Sequence, residues 1–189
     1  MVSRAVRARY EKEAGSYDRL VEVVKYRTPT VVATHLAGLL PANPRVLDCG
    51  CGTGKNADAH SGGHFTGVDA ALGMLRVART RGYHVVQADL RSLPFATEVF
   101  DAVLCTAVLD HYPRINTPVR EMARVACHNG VLAFTTICDR QMRSHVALST
   151  VRTALERNDL CLVETFHYLS HQLPGYAPIR YRLTIAQKS

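Results

Sequence analysis

The 189-residue chain predicts an α/β fold, a seven-stranded and mostly parallel sheet with helices on both faces. Three observations carry this. Apolar strand-like runs alternate with segments of helical period from residue 28 to residue 157. A glycine-rich turn, Gly50-Cys51-Gly52-Thr53-Gly54, follows the first strand directly. Two last strand-like runs, joined by a loop holding Pro174, Gly175 and Pro178, pair most simply as antiparallel neighbours.

The elements follow in order. Thr28-Pro29 reads as an N-cap and a first-turn proline, and Val31, Val32, His35, Leu36, Leu39 and Leu40 recur at helical spacing until Pro41 and Pro44. Arg45–Cys49 is the first strand and His64–Val68 the second; a helix over 70–81 ends at Gly82. His84–Gln87 and Phe100–Thr106 are the third and fourth strands. Pro118 opens a helix to Cys127, closed by Asn129-Gly130, and Val131–Cys138 has the continuous apolar character of a sheet centre. Asp139 caps a helix over about 140–157 that buries Met142, Val146, Leu148, Val151 and Leu155, before strands near 160–167 and 179–187. No repeat or long linker appears, so residues 1–189 read as one domain with a helical segment over 1–41.

Composition narrows the function classes. Hydrophobic residues at 47% and charged residues at 21% exclude bulk disorder. The longest apolar runs, such as Ala102–Val108 and Val131–Cys138, fall far short of the ~20 residues of a membrane span, so a soluble protein without a membrane partner is expected. Residues 1–15 carry Arg4, Arg7, Arg9 and Lys12 without the continuous apolar stretch of a secretory signal. Six cysteines, four of them inside apolar runs and none in a C-x-x-C pair, read as small buried thiols in a reducing compartment, cytoplasmic or nuclear. Nineteen arginines and four lysines against sixteen acids suit a polyanion, although their scatter equally describes a solvated basic surface. His60/His64 and His167/His171 have i,i+4 spacing, but no third ligand accompanies them, so no metal site is expected. No G-x-S-x-G appears, which removes the hydrolase nucleophile elbow.

The stretch Val46-Leu47-Asp48-Cys49-Gly50-Cys51-Gly52-Thr53-Gly54 is the richest in chemistry. A dinucleotide fingerprint fails because its third glycine would fall on Lys55, and a Walker loop fails because Cys49 and Asn56 replace its first glycine and its hydroxyl residue. The stretch resembles motif I of the class I S-adenosylmethionine-dependent methyltransferases, V-L-D-x-G-C-G-x-G, at every specified position. Gly67-Val68-Asp69, Ala88-Asp89-Leu90, Leu93-Pro94-Phe95, Phe100-Asp101-Ala102-Val103 and Ala107-Val108-Leu109 resemble the motifs that follow it in that family. The resemblance implies a Rossmann-like fold and S-adenosyl-L-methionine as cofactor. It implies contacts from Tyr17, Asp48, Gly50, Cys51, Gly52, Asp69, Ala70, Asp89, Leu90 and Thr106. Asp69 would accept the two ribose hydroxyls, as an acceptor-only carboxylate can, and Asp89 the adenine amino group. Asp101 reads as structural, and a turn cap is the plain alternative for Asp89.

Within the class, the chain is most similar to the tRNA wobble carboxymethyluridine methyltransferases. Tyr17-Asp18, Tyr26-Arg27-Thr28-Pro29, the run from His35 to Pro41 and Arg120-Glu121-Met122-Ala123-Arg124 echo that family, and Ile137-Cys138-Asp139-Arg140-Gln141 does so weakly. Its tryptophan is missing, its His-His dyad reads Asp110-His111, and its P-G-G reads His128-Asn129-Gly130. The resemblance implies tRNA as substrate and a small zinc-binding activator subunit as partner. A carboxylate acceptor is already ionised and needs only a cation to hold it, for which Arg27 and His111 are the candidates. For a hydroxyl or amine acceptor, Asp110 would orient His111 as an acid/base pair. A small acid or quinone precursor as acceptor, and a non-catalytic scaffold working through a partner, remain the alternatives.

Overall fold

A computed structural model gives the fold and describes residues 3–60, 62–139, 142–170 and 178–189. The chain opens with helices α1 (Arg4–Glu13), α2 (Tyr17–Val23) and α3 (Thr28–Leu36). Strand β1 (Arg45–Cys49), a short helix α4 (Lys55–Ala59), β2 (His64–Asp69), α5 (Leu72–Thr80) and β3 (His84–Gln87) form the first half of the sheet. The second half is β4 (Phe100–Cys105), α6 (Asn116–Val125), β5 (Ala126–Ile137), α7 (Leu148–Glu156), β6 (Leu160–Leu169) and β7 (Arg180–Lys188).

The seven strands lie in the order β3-β2-β1-β4-β5-β7-β6. All neighbours are parallel except β7, which runs antiparallel to both β5 and β6. The central strands are apolar on both sides because both faces are covered. Val46, Ala102 and Ala133 face α3 through Val32 and Leu36, whereas Leu47, Val103, Leu132 and Phe134 pack with Val119 and Met122 of α6 and with α7. Strand order reverses between β1 and β4, and ligands of open parallel sheets bind beyond the carboxyl ends of the strands at that point. Among the described residues no helix is long and apolar enough to cross a membrane.

Several boundaries differ from the expectations, each through a tertiary contact. Thr28 is not the cap of α3: Arg27 is, and the Thr28 hydroxyl is buried, accepting a hydrogen bond from Tyr168 Oη at 2.9 Å. The same helix ends at Leu36, so Leu39 lies beyond it and stays exposed. Helix α6 starts at Asn116 and yields at Ala126, because β4 pairs Phe100 with Ala126 and Ala102 with Val131, and residues 127–130 bulge between them. Asn129-Gly130 thus lies inside the strand rather than closing a helix. Asp139 caps nothing in α7. The Val146 amide is already bound to the Ile137 carbonyl, and its carbonyl to Arg182, so helix begins only after Ala147 and Leu148 points outward. Cys49, Cys51 and Cys105 are buried, but Cys127 and Cys138 are half-buried and Cys161 is exposed. The echo at Arg140 and Gln141, the turn at Pro174-Gly175 and the second histidine of the His167/His171 pair lie outside the described residues.

Two expected features hold their elements in place. Asp101 receives the Arg45 amide at 2.8 Å and its guanidinium at 3.0 Å, fixing the start of β1. Arg124 donates to the carbonyls of Leu93 and Phe95, and Glu121 accepts the Leu93 amide, so α6 fastens the Leu93-Pro94-Phe95 loop. The close approach of the turn after β1 to β2 requires a glycine at 67, where an added Cβ would lie 2.6 Å from Cys51 Sγ and 3.2 Å from Val85 Cγ1. Gly67→Ala is therefore expected to destabilise the fold by about 1–3 kcal/mol through overpacking. Urea denaturation should show a lower midpoint with an unchanged slope.

Candidate active site

Strand β1 ends by turning through Gly50, whose φ of 74° is left-handed. Space as well as backbone demands glycine there, since a Cβ would meet Val108 Cγ2 at 2.3 Å. The amides of Gly50 and Cys51 both donate to the Val68 carbonyl, at 2.7 and 3.0 Å, which draws the turn over the end of β2. There Asp69 takes over: Oδ2 accepts the Gly52 amide at 3.0 Å and Oδ1 the Ala71 amide at 2.8 Å. Burial pushes the Asp69 carboxyl up while these amides hold it down, and a carboxylate with about four acceptor sites retains capacity for further donors.

Beneath the turn, Asp48 is buried and accepts Asn56 Nδ2 at 2.8 Å, while the same amide nitrogen reaches Thr106 Oγ1 at 2.9 Å. Asp48 Oδ2 has no partner, and burial pushes this carboxyl up to about 7. Asp48 thus braces the turn from below, where it lines a small cavity with Cys51 and Gly54.

The N-terminal helices form the facing wall. Both oxygens of Glu11 accept amides of α5, Leu72 and Gly73, at 2.7 Å, so α1 caps another helix in trans. Asp18 accepts the Thr53 hydroxyl at 2.6 Å and pairs with Arg81, whose guanidinium also reaches the Thr53 carbonyl. Tyr10 Oη lies 3.0 Å from His111 Nε2, with the rings edge-on at 5.6 Å. Burial, and then the charge of Arg9, lower the His111 pKa, which favours the neutral imidazole.

Between these walls is a cleft with about 590 Å³ of space, open to solvent. Gly50, Gly52, Asp69, Ala70, Leu90, Thr106, Val108, His111 and Tyr112 line it from the sheet and its loops, and Arg7, Tyr10 and Tyr17 from the N-terminal helices. An apolar slot beside Leu90 and Tyr112, a carboxylate with spare acceptor capacity and a side-chain-free turn fit a nucleoside with vicinal hydroxyls.

Eight of the ten residues implied for the cofactor meet around the glycine turn, counting Cys51, which lines an adjoining cavity with Tyr17, Gly50, Gly52 and Thr106. Asp89 and Asp48 do not line it. Asp89 Oδ1 accepts the amide and Nε of Arg91, at 3.0 and 2.9 Å, as a cap of the local turn does. Two of the three implied catalytic residues also part company with His111. Asp110 does not orient it: neighbours on the 3-10 turn Leu109–His111 point in different directions, and Asp110 Oδ1 accepts the Ile137 amide at 2.7 Å. Arg27 is exposed at the start of α3 and lines neither cavity; its amide donates to the Ser170 carbonyl and its carbonyl accepts the Val31 amide. Sequence reasoning missed Arg7, Tyr10 and Glu11, for α1 buries no residue and carries no apolar period to announce it. His60 Nδ1 is 2.8 Å from the Asn56 carbonyl, and no cluster of His, Cys, Asp or Glu among the described residues could hold a metal.

Fold and cleft together define a Rossmann-like nucleoside-binding domain whose glycine turn and acid-ended β2 form one wall. Residues 47–134 match the family model described as a methyltransferase domain. A malonyl-[acyl-carrier protein] O-methyltransferase of Legionella pneumophila is 32% identical over 145 residues, 72% of this chain and 51% of that protein. A probable tRNA methyltransferase 9B of Bos taurus is 34% identical over 103 residues, 53% of this chain and 23% of that protein. The chain thus spans about half the length of the first relative and under a quarter of the second. A solved S-adenosylmethionine-dependent methyltransferase of Thermotoga maritima superposes with a TM-score of 0.73 at 18% identity, covering 95% of this chain and 98% of that one. The chain carries a class I S-adenosylmethionine-dependent methyltransferase domain, and S-adenosylmethionine is the cofactor its cleft fits.

Asp69→Ala is expected to weaken S-adenosylmethionine binding by on the order of 1–3 kcal/mol, read by calorimetry, because hydroxyls on the ligand lose their acceptor. The buried carboxyls set a pH dependence of opposite sense to that of salt-bridged ones. Asp48 rises from 3.8 to about 7 and Asp110 from 3.8 to about 6, so the folded state binds their protons more tightly than the unfolded chain. Their contribution to stability is greatest below about pH 4 and falls as pH rises through about 6 and 7. Urea midpoints of Asp48→Asn measured across that window should fall less steeply than those of the wild type.

Proposed function

We propose that the chain transfers the methyl group of S-adenosylmethionine to a carboxylate oxygen of a large anionic acceptor, the carboxymethyl group of a tRNA wobble uridine being the first candidate. The observation that carries this is the acceptor side of the cleft, where Arg7, Tyr10 and His111 present a cation and hydrogen-bonding groups and Asp110 is turned away. The sulfonium supplies an electrophilic methyl. A carboxylate attacks it in line as the O–CH₃ bond forms and the S–CH₃ bond breaks, with no proton to remove. A hydroxyl or amine would need a base, and an unassisted imidazole of lowered pKa is a weak one. The chain's own task is then to hold both reactants and keep water from the reacting line. A formal net charge of +7 suits a polyanionic acceptor, and both named relatives carry a large one in their names.

The test is transfer of labelled methyl to three pools: tRNA bearing carboxymethyluridine, malonyl-carrier protein, and small acids and quinone precursors, each with and without a zinc-binding activator subunit. An ester label released by mild alkali, with tRNA as best acceptor, is expected. An alkali-stable label would overturn the carboxylate assignment, and cofactor binding without transfer to any pool would leave a scaffold. His111→Asn should lower kcat/KM by less than about a hundredfold, below the ~10²–10⁴ of a general base.

A further inference from the structure

The cavity that adjoins the cleft lies past the glycine turn and has about 400 Å³ of space, open to solvent. Tyr17, Gly50, Gly52, Thr106 and Ala107 line both spaces, so a ligand whose nucleoside sits beside Asp69 and Leu90 continues past the turn into the second one. This second space is walled by Tyr26, Lys55 and Asn56. Asn56 is committed to Asp48 and Thr106. Lys55 is not so committed: its Nζ stands 3.7 Å from Glu22 Oε1, beyond hydrogen-bonding distance, and that glutamate is largely exposed. Tyr26 Oη is buried and, apart from its approach to the Thr28 side chain, has no hydrogen-bond partner among the described residues. A buried hydroxyl left without a partner is costly unless a ligand supplies one.

We propose that Lys55 Nζ and Tyr26 Oη form the seat for the α-carboxylate of the cofactor's amino-acid end. The ammonium supplies charge and the phenol a directed donor to an anion that neither Thr106 nor the glycines can neutralise. Burial raises the Tyr26 pKa well above its ordinary value, so the phenol keeps its proton and donates at any physiological pH. Arg27, one residue along the chain from Tyr26, is directed to solvent and leaves the second cavity to its neighbour. The Gly54-Lys55 pair, which resembles the end of a phosphate-binding loop, thus serves a carboxylate.

This seat rests on the assignment of the cleft to S-adenosylmethionine, and two ligands separate the two claims. S-adenosylhomocysteine carries the amino-acid end; 5′-methylthioadenosine has the nucleoside and sulfur but lacks it. Lys55→Met should weaken S-adenosylhomocysteine about 10- to 100-fold by calorimetry and leave methylthioadenosine within about twofold, as loss of a charge-assisted contact to one end requires. Tyr26→Phe should act the same way, about threefold or more, and Lys55→Arg should restore most of the loss. Methylthioadenosine binding also reports that each variant is folded. Equal weakening of both ligands, or weakening of neither, would overturn the seat. A wild type that binds neither ligand would overturn the cofactor assignment itself and the seat with it.

Discussion

The two hydrogen bonds that Asp69 accepts from the amides of Gly52 and Ala71 tie together the three pieces of chain that make the site. One end belongs to the turn after β1, the other to the approach to α5, and the carboxylate closes β2. With the turn drawn over β2, Gly50 is pressed against Val108 beyond β4, and Gly67 against Cys51. Each of these approaches admits no side chain. Gly50 and Gly67 are therefore consequences of where one carboxylate holds the backbone, and the carboxylate still lines the space left in front of it.

A second set of carboxylates attaches the N-terminal helices. α1 is mostly polar and buries none of its residues fully, so apolar burial does little to hold it. Glu11 on the α5 amides and Asp18 on Thr53 and Arg81 do that work instead, with Tyr10, Ala14 and Tyr17 packing against Ala71 and Met74. A wall fastened by a few polar contacts can open at far lower cost than the sheet can unfold. That suits a cleft which must admit a cofactor and release its spent form.

Where residues answer to their neighbours in sequence, the structure was legible in advance. β1 and β3 lie at the expected residues, since short strands with an apolar centre beside a glycine turn have few alternatives. The glycine turn and Asp69 carry their chemistry in order and spacing, and both stand where expected. The failures occur where a distant group decides. Thr28 looked like a cap until Tyr168 claimed its hydroxyl, and Asn129-Gly130 looked like a helix stop until pairing with β4 drew it into a bulge. Tyr10 meets His111 across 101 residues of sequence, and no local pattern encodes such a meeting.

Asp110 shows how an acid beside a histidine can serve it without touching it. Its carboxylate accepts the Ile137 amide at the end of β5, which pins the 3-10 turn Leu109–His111 to the sheet. Leu109 is buried in the main core on the same turn. With one side of the turn fixed by that hydrogen bond and another by apolar packing, His111 is left facing the cleft, where Tyr10 meets it. An acid in the first position of the dyad therefore fastens the backbone that presents the imidazole. Direct pairing would have drawn the imidazole away from Tyr10 and placed a negative charge beside the acceptor. Held through its backbone instead, His111 keeps a lowered pKa, which suits the anionic acceptor proposed for this side of the cleft.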